Sequence, residues 1–248
     1  MSKPLVTAVM ITGKTVHHEK FCRVALRCFR EQTWPNKNLV IVSDRHYGLF
    51  EEELGSDVEL VELPSKRQLS DLRNAGLDAA SGDYVIQWDD DDWHNPDRIQ
   101  VQMEALSSNK LACLLQYQIR YSFRNNAAYI KRQRIFGTIL HRATKHRYDV
   151  GLRRHEDTHF FKKHFGSSYV MLGKTDRDAD HYIRMFHGRN TFGEPHIMGR
   201  WRGKSNHWQL LKHQRPFLAK VLHDYYGITA GHQKSCVGAD RWNRSRSQ

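Results

Sequence analysis

The sequence predicts an α/β fold built on a mostly parallel β-sheet with helices on both faces. Two observations lead to this prediction. In residues 1–110, short apolar runs typical of buried strands alternate with segments whose apolar residues recur at helical spacing. Strands that alternate with helices are joined by crossovers, which produce a parallel sheet whose strands end at a common ligand-binding edge. Beyond Leu111 the strand-like stretches follow one another, which predicts small antiparallel additions.

The elements of the first half follow from local composition. Ser81-Gly82 ends one helical segment, and Asn95-Pro96-Asp97 supplies the N-cap and first turn of another. In chain order, the predicted elements are a strand at 5–12, a helix at 19–32, a strand at 39–43, a helix at 50–54, a strand at 58–63, a helix at 69–80, a strand at 84–88 and a helix from 95 to about 106.

The second half is predicted to contain strands at 113–123, 128–132 and 135–141, followed by helices at 156–165 and 208–226. We therefore divide the chain into residues 1–110, residues 111–194 of the same domain, and a basic C-terminal helical extension at residues 195–248. The extension either contacts a phosphate-bearing ligand or an anionic membrane surface, or packs back on the α/β domain. The aromatic residues on which these alternatives rest are Trp201, Trp208, Phe217 and Trp242.

The composition describes a globular and basic protein. Of the 248 residues, 39% are hydrophobic, which excludes wholesale disorder. The net charge is +12, and the excess of Lys and Arg is concentrated in residues 120–154 and 193–248, which favours a phosphate-bearing or polyanionic partner. The four cysteines lack CxxC spacing and suit a reducing compartment. We therefore expect a cytoplasmic protein, with its basic segments available for contact with a membrane surface.

Four consecutive carboxylates, Asp89, Asp90, Asp91 and Asp92, directly follow the predicted strand at 84–88. We call residues 89–92 the aspartate run. Neighbouring carboxylates repel one another, so such a run favours either a bound cation or a solvated turn. Because this run stands where a buried strand reaches the ligand-binding edge of the sheet, we predict a divalent-cation site. Oxygen ligands suit Mg²⁺ or Mn²⁺, which typically join one or two carboxylates to the phosphates of a substrate.

Three alternatives use other features of the sequence. Residues 8–15 match a relaxed phosphate-loop pattern ending in Gly13-Lys14-Thr15, as in a nucleotide hydrolase, although residues 9–12 are apolar and continue a strand. His155, Glu156 and His159 formally match the HExxH pattern of zinc hydrolases. The basic C-terminal extension also suits a non-enzymatic polyanion-binding protein. No nucleic-acid-binding motif is present and the aspartate run would repel DNA, so we expect no nucleic-acid partner.

In their order along the chain, several segments resemble the GT-A nucleotide-sugar glycosyltransferases of family 2. The resemblance covers most of residues 5–192. The segments that carry it are Gln32-Thr33-Trp34-Pro35 and the strand ending at Asp44, Arg73-Asn74-Ala75-Gly76, Ala80-Ser81-Gly82-Asp83-Tyr84 leading into the aspartate run as a DxD metal motif, Gly137-Thr138, Glu156-Asp157, and His187-Gly188-x-Asn190-Thr191.

This resemblance implies a GT-A, Rossmann-like fold and metal-dependent transfer of a sugar from a nucleoside-diphosphate sugar, with UDP-sugars favoured, to a glycan, a lipid-linked compound or another hydroxyl acceptor. Residues 1–110 would bind the nucleotide sugar, and residues 111–194 would form the acceptor and catalytic half.

The resemblance also implies roles for individual residues. Asp157 would deprotonate the acceptor, with Glu156 beside it, and give inversion in a single displacement. Asp91, with Asp89 or Asp92, would hold Mn²⁺ or Mg²⁺, and His187 would complete the ligands of the metal. The residues implied to bind substrate are Asp44, Arg73, Asn74, Asp89, Asp90, Gly137 and Thr138.

Overall fold

The structure is a computed structural model that describes most of the chain. The described residues are 2–12, 19–44, 54–106, 109–152, 155–190, 193, 207–208, 210 and 212–229. The strands among them are β1 (Val6–Thr12), β2 (Lys37–Ser43), β3 (Val58–Glu62), β4 (Tyr84–Asp89), β5 (Trp93–His94), β6 (Ala112–Ser122), β7 (Ala127–Arg142), β8 (Tyr169–Leu172), β9 (Tyr182–Phe186) and β10 (His207–Trp208). The helices are α1 (Glu19–Arg30), α2 (Leu69–Ala79), α3 (Arg98–Ala105), α4 (Glu156–His164), α5 (Gln214–Tyr226) and a 3₁₀ helix (Asp176–His181).

These strands form one sheet with the order β3-β2-β1-β4-β7-β6-β9-β5, to which β8 adds beside β6 and β10 beside β7. The strands β3, β2, β1 and β4 are parallel to their neighbours, and β6 is parallel to both β8 and β9. The pairs β4/β7, β6/β7, β5/β9 and β7/β10 are antiparallel. The prediction of a mostly parallel α/β sheet with antiparallel additions is confirmed.

The helices cover the sheet with their apolar faces. In α1, seven residues are buried along one side, with Glu19 in the first turn and Arg27 and Arg30 in the last, where they suit the helix dipole. The indole Nε1 of Trp88 in β4 donates to the backbone oxygen of Ala25 in α1 at 3.0 Å. This contact ties α1 to the strand that leads into the aspartate run.

Three predicted elements differ from the structure by more than two residues at a boundary. The predicted strands at 128–132 and 135–141 are one strand, β7, whose pairing with β6 shifts register between Cys113 and Tyr117. Helix α3 begins at Arg98, because Asn95 Oδ1 accepts a hydrogen bond from the backbone N–H of Asp97 and holds residues 95–97 in a turn. Helix α5 begins at Gln214 rather than at residue 208. The predicted helix at 50–54 lies, apart from Leu54, outside the described residues.

Helix α5 comes from the predicted C-terminal extension and packs on the α/β domain. Leu218, Val221 and Leu222 are buried. The rings of Phe217 and Tyr225 lie 5.5 and 5.8 Å from Trp93 in edge-to-face contact. Phe217 therefore packs against the core and does not extend as a clamp. Trp201 and Trp242 lie outside the described residues, and Trp208 is described only as part of β10.

Truncating a buried side chain of α5 is expected to destabilise the whole domain. Leu222 is only 1% exposed, so we expect Leu222→Ala to lower the free energy of unfolding by about 2–5 kcal/mol. Urea unfolding measures this difference. Lys220→Ala on the exposed side of the same helix is the control, with an expected change within about 0.5 kcal/mol. Equal effects of the two variants would show that α5 is not part of the core.

None of the helices in the described part of the chain combines the length and the apolar composition needed to cross a membrane.

Candidate active site

A cavity of about 590 Å³ opens where β1, β2 and β4 end. Its wall is completed by the middle of β7, the start of α2 and the start of α4. The sequence-predicted residues that line it are Asp44, Arg73, Asp89, Asp90, Asp91, Gly137, Glu156 and Asp157. Asn74, Asp92, Thr138 and His187 are not among its lining residues. Residues far apart in the sequence thus meet at the edge of the sheet where ligands of α/β folds bind.

Asp44 directly follows β2 and lines the cavity at the end where β2 terminates. The backbone N–H of Arg67 donates to Asp44 Oδ2 at 2.9 Å, which orients the carboxylate. Lys66 and Arg67 line the cavity beside it. This end therefore offers an acceptor for an N–H group and two cationic side chains.

Asp89 ends β4 and faces Gly137 of β7. Gln87 Nε2 donates to Asp89 Oδ1 at 3.0 Å, and Arg73 Nη2 lies 3.8 Å from the same oxygen. A Cβ atom at position 137 would lie 2.9 Å from Asp89 Oδ2 and 3.3 Å from Gln87 Nε2. A side chain at position 137 would therefore displace the carboxylate.

This close approach makes Gly137 a sensitive position. For UDP and Mn²⁺, the ligands that the family resemblance implies, we expect Gly137→Ala to lower the metal-dependent affinity by about tenfold, because Asp89 must move from its position in the cavity wall. The free energy of unfolding should change by less than about 1 kcal/mol, since the displaced group borders the cavity. Calorimetry and urea unfolding of the same variant separate the two effects. Unchanged affinity would mean that Asp89 does not contact the metal–nucleotide complex.

Asp91 is oriented by the segment that follows β9. Its Oδ2 lies 3.2 Å from His187 Nε2 and accepts a hydrogen bond from Asn190 Nδ2 at 2.9 Å. The ring of His187 stacks on Phe21 at 4.4 Å between centroids. His187, predicted as a metal ligand, thus stands behind Asp91 and not in the cavity wall. Its contacts orient the carboxylate that does line the cavity.

The structure places Asp92, a predicted metal ligand, outside the cavity that the other three aspartates of the run line. Its side chain is only 2% exposed. Oδ1 accepts from the backbone N–H of Met185 at 2.8 Å, and Oδ2 accepts from the Tyr182 hydroxyl. Burial, and then the charge of Asp91, raises the pKa of Asp92 well above its usual value. Asp92 therefore anchors the aspartate run to β9.

Asp90 borders the cavity and also contacts α1. The thiol of Cys22 donates to Asp90 Oδ2 at 3.3 Å, and Thr12 Oγ1 lies 3.1 Å from the same sulfur. Burial raises the pKa of Cys22 well above its usual value, so this thiol stays protonated and acts as a donor. The contact holds Asp90 against α1 and the end of β1.

Arg73 and Glu156 form a buried pair in the cavity wall. Arg73 Nε donates to Glu156 Oε1 at 3.1 Å. Burial would lower the pKa of Arg73, but the charges of Glu156, Tyr148, Asp89 and Asp157 outweigh it and raise this pKa. Arg73 is therefore a permanent cation beside Asp89, and Glu156 serves as its counterion.

Asp157 occupies the first turn of α4 and points to the cavity. The backbone N–H of Thr158 donates to Asp157 Oδ1 at 2.6 Å. Burial raises the pKa of Asp157 above its usual value, and the neighbouring charge of Glu156 acts in the same direction. A carboxylate with a raised pKa is a stronger base than an exposed aspartate, which suits proton abstraction.

The structure places Asn74 and Thr138, which are predicted to contact substrate, behind the cavity wall. Asn74 donates to the backbone oxygen of Tyr148 at 2.9 Å and accepts from its N–H at 2.7 Å. The Thr138 hydroxyl donates to the oxygen of Ile135 at 2.6 Å and accepts from the N–H of Leu115 at 3.1 Å. These bonds fix the neighbours Arg73 and Gly137.

Several cationic and polar cavity residues were not predicted. Arg184 of β9 lines the cavity near the aspartate run. Burial would lower its pKa, but Tyr182 and the aspartates, led by Asp92, raise it. In the sequence, Arg184 is the single charged residue within the otherwise apolar and aromatic run Tyr182–Phe186. The other unpredicted residues that line the cavity include Lys66, Arg67, Gln133, Arg134 and Asn190.

The donor set fits a hard divalent cation. Asp89 and Asp91 both present carboxylates to the cavity. Within the described residues, no group of three or more His, Cys, Asp or Glu side chains forms a ready-made metal site. Mg²⁺ is commonly held by one or two carboxylates together with water and substrate phosphates. The two carboxylates therefore suit a metal that binds together with a phosphate-bearing ligand.

The structure does not support the two hydrolase alternatives. Residues 8–12 belong to β1 and pair with β2 and β4, so their backbone N–H groups cannot cradle a phosphate. Residues 13–15 lie outside the described part of the chain. His155 precedes α4 with a left-handed φ of 62°, so it does not share a helical face with His159. His159 instead contacts Asp149 at 3.0 Å.

Comparisons with known proteins identify the family of the chain. The family model described as Glycosyl transferase family 2 matches residues 10–176. The chain is 30% identical over 126 residues to the putative glycosyltransferase EpsH of Bacillus subtilis, covering 49% of the chain and 36% of EpsH. It is 32% identical over 90 residues to the amylovoran biosynthesis glycosyltransferase AmsB of Erwinia amylovora, covering 33% of the chain and 30% of AmsB. The chain thus aligns with about a third of each of these relatives.

Solved structures share the fold. S. aureus TarS in complex with UDP-GlcNAc matches with a TM-score of 0.58 and 14% identity, over 92% of the chain and 74% of TarS. The mannosyltransferase PcManGT from Pyrobaculum calidifontis, in complex with GDP-Man and Mn²⁺, matches with a TM-score of 0.54 and 13% identity, over 78% of the chain and 59% of PcManGT. Because the family model spans more than half of the sequence and the sheet has the GT-A arrangement, the chain belongs to glycosyl transferase family 2.

Proposed function

We propose that this protein transfers a sugar from a nucleoside-diphosphate sugar, with UDP-sugars favoured, to a hydroxyl group of a glycan, lipid-linked or other acceptor. The observation that carries this proposal is the meeting of Asp44, Asp89, Asp91 and Asp157 in one cavity. The donors bound to TarS and PcManGT, UDP-GlcNAc and GDP-Man, support a nucleotide sugar as the substrate. The Mn²⁺ in the PcManGT complex supports a divalent ion.

In this proposal residues 1–110 bind the donor. Asp44 accepts an N–H from the base, and Arg73 provides a permanent positive charge near the diphosphate. Asp89 and Asp91 would hold Mn²⁺ or Mg²⁺, and the ion would supply positive charge for the leaving diphosphate. His187 and Asn190 keep Asp91 in place through their contacts with its Oδ2.

Residues 111–194 supply the acceptor side and the base. Asp157 removes the proton from the acceptor hydroxyl as its oxygen attacks the anomeric carbon on the face opposite the diphosphate. The new glycosidic bond forms while the bond to the diphosphate breaks, so a nucleoside diphosphate leaves and the anomeric configuration is inverted. The raised pKa of Asp157 favours proton transfer, and the Arg73 pair keeps Glu156 from competing as the base.

A donor screen tests this proposal. We expect release of free nucleotide from a UDP-sugar in Mn²⁺ or Mg²⁺, with much less from GDP- and dTDP-sugars and a loss of release in EDTA. NMR of the product should show an inverted anomeric centre. Retention of configuration would exclude the single displacement, and release that EDTA does not alter would exclude the metal. No release from any nucleotide sugar, together with no UDP binding, would overturn the proposed activity.

A further inference from the structure

Arg98 is a fully buried arginine at the start of α3. Within the described part of the chain, its guanidinium forms hydrogen bonds but no ion pair within 4.0 Å. The group lies between two aromatic rings, 5.1 Å from the centroid of Trp88 and 5.4 Å from that of Tyr182. Burial lowers the pKa of Arg98 to about 10, so it remains charged at neutral pH. A buried charge without a carboxylate partner is costly, which calls for a specific explanation.

Every donor of Arg98 that the structure pairs points to a neutral acceptor. Nη2 donates to the backbone oxygen of Gln87 at 3.0 Å, and Nε donates to Gln102 Oε1 at 3.2 Å. Nη1 contacts Nδ1 of His94. Because a guanidinium has no acceptor, His94 Nδ1 must be the unprotonated ring nitrogen. The ring proton of His94 is therefore on Nε2, which donates to the backbone oxygen of Asp89 at 3.1 Å.

These bonds replace a missing strand neighbour. On one side, β4 pairs with β1 as far as Asp89. On the other side, it pairs with β7 only from Tyr84 to Ile86. The carbonyl groups of Gln87 and Asp89 lie beyond that paired stretch, and alternate residues of a strand present their carbonyls to the same side. Arg98 and His94 thus provide donors at two successive positions where β7 no longer does.

We propose that Arg98 and His94 are positioning residues. They hold the backbone at the end of β4, residues 87–89, and thereby direct the aspartate run into the cavity. Arg98 acts directly on Gln87 and, through His94, on Asp89. The stacking of His94 on Trp88, at 3.9 Å between centroids, keeps the imidazole in the plane that both bonds require. Without these donors the backbone at residues 87–89 would be held by β1 alone, and the carboxylate of Asp89 would lose its defined position.

Two substitutions of His94 distinguish positioning from packing. His94→Phe keeps an aromatic ring against Trp88 but removes both polar contacts. His94→Gln retains one acceptor for Arg98 and one N–H donor for Asp89. His181→Phe is the matched control, because His181 is a partly buried histidine whose Nδ1 has no hydrogen-bond partner among the described residues. Arg98 itself is left intact so that the buried charge does not complicate folding.

The ligand-free readout is amide hydrogen exchange of peptides that cover residues 87–92. We expect exchange at least tenfold faster in His94→Phe, and near wild type in His94→Gln and His181→Phe. The second readout, which rests on the proposed function, is the affinity for UDP measured with Mn²⁺ and with EDTA. His94→Phe should weaken binding about tenfold in Mn²⁺ and leave binding in EDTA within twofold, with His94→Gln restoring most of the loss.

The outcomes separate the two proposals. Unchanged exchange in His94→Phe, or equal exchange and equal affinity loss in His94→Phe and His94→Gln, would overturn the positioning role. An affinity loss that is the same in Mn²⁺ and EDTA would reduce His94 to a packing residue. If the wild type itself binds no UDP in Mn²⁺, the proposed function fails, while the exchange experiment still decides the role of His94.

Discussion

Asp157→Asn is expected to lower kcat by about 10²–10⁴-fold while UDP affinity stays within a few-fold of the wild type. Asparagine has nearly the same shape and retains an oxygen that accepts from Thr158, but it cannot take a proton from the acceptor. The loss should therefore appear in the transfer step and not in donor binding. Initial rates of transfer and calorimetry with UDP and Mn²⁺ measure the two quantities.

Asp149→Asn provides the control on the same part of the chain. Asp149 contacts Lys163 at 2.6 Å and His159 at 3.0 Å on α4, and it does not line the cavity. Its replacement should leave kcat within twofold. Near-normal turnover of Asp157→Asn, or an equal loss in both variants, would remove Asp157 from the role of base.

The raised pKa of Asp157 also predicts the direction of two pH effects. Transfer requires the ionised carboxylate, so the rate should rise with pH through a pKa above that of an exposed aspartate. The free energy of unfolding should change in the opposite direction and fall as the pH rises. Because burial raises this pKa in the folded state, the folded chain binds the proton more tightly than the unfolded chain, and ionisation at neutral pH is destabilising. Asp157→Asn should therefore raise the melting temperature at pH 7, whereas a lower value would contradict this electrostatic account.

Asp91→Asn is expected to lower Mn²⁺-dependent UDP affinity by at least tenfold, with little change in the affinity measured in EDTA. The amide can still accept from Asn190, so the segment should keep its conformation while one negative charge is lost from the cavity. Isothermal calorimetry with Mn²⁺ and with EDTA measures the metal-dependent part, and thermal unfolding confirms that the variant is folded.

Asp92, the next residue, provides a matched control for Asp91→Asn. Asp92→Asn replaces a carboxyl group one residue away, but both oxygens of Asp92 are bound to Met185 and Tyr182 and lie outside the cavity. We expect this variant to keep metal-dependent affinity within threefold and to change mainly the stability. If Asp92→Asn weakens Mn²⁺-dependent binding as much as Asp91→Asn, then Asp92 contributes to the metal site and its placement as an anchor is wrong.

Local sequence is sufficient to predict most strands of the parallel part of the sheet. The apolar runs of β1, β2 and β4 are largely buried, and such strands carry apolar residues on both faces whichever elements pack on them. The apolar pattern of β7 is interrupted at Lys131–Arg134, so periodicity alone predicts two strands there. Those polar residues belong to a strand that borders the cavity, with Gln133 and Arg134 in the wall. The strands β5, β8 and β9 have two to five residues and were missed, since periodicity is not measurable over such lengths.

The amino-acid order alone specified the types of groups in the candidate site and the family to which the chain belongs. Four aspartates after a buried strand predict a cation site, and the resemblance of Glu156-Asp157 to a family motif implies a base. Which carboxylate performs which task depends on partners far away in the chain. Hydrogen bonds from Tyr182 and Met185 keep Asp92 out of the cavity wall. Asp91 is held by His187 and Asn190, and Arg73 is the counterion of Glu156. The pKa and direction of a carboxylate follow from burial and from such long-range contacts, and these exist only once the sheet has brought β4, β9, α2 and α4 to one edge.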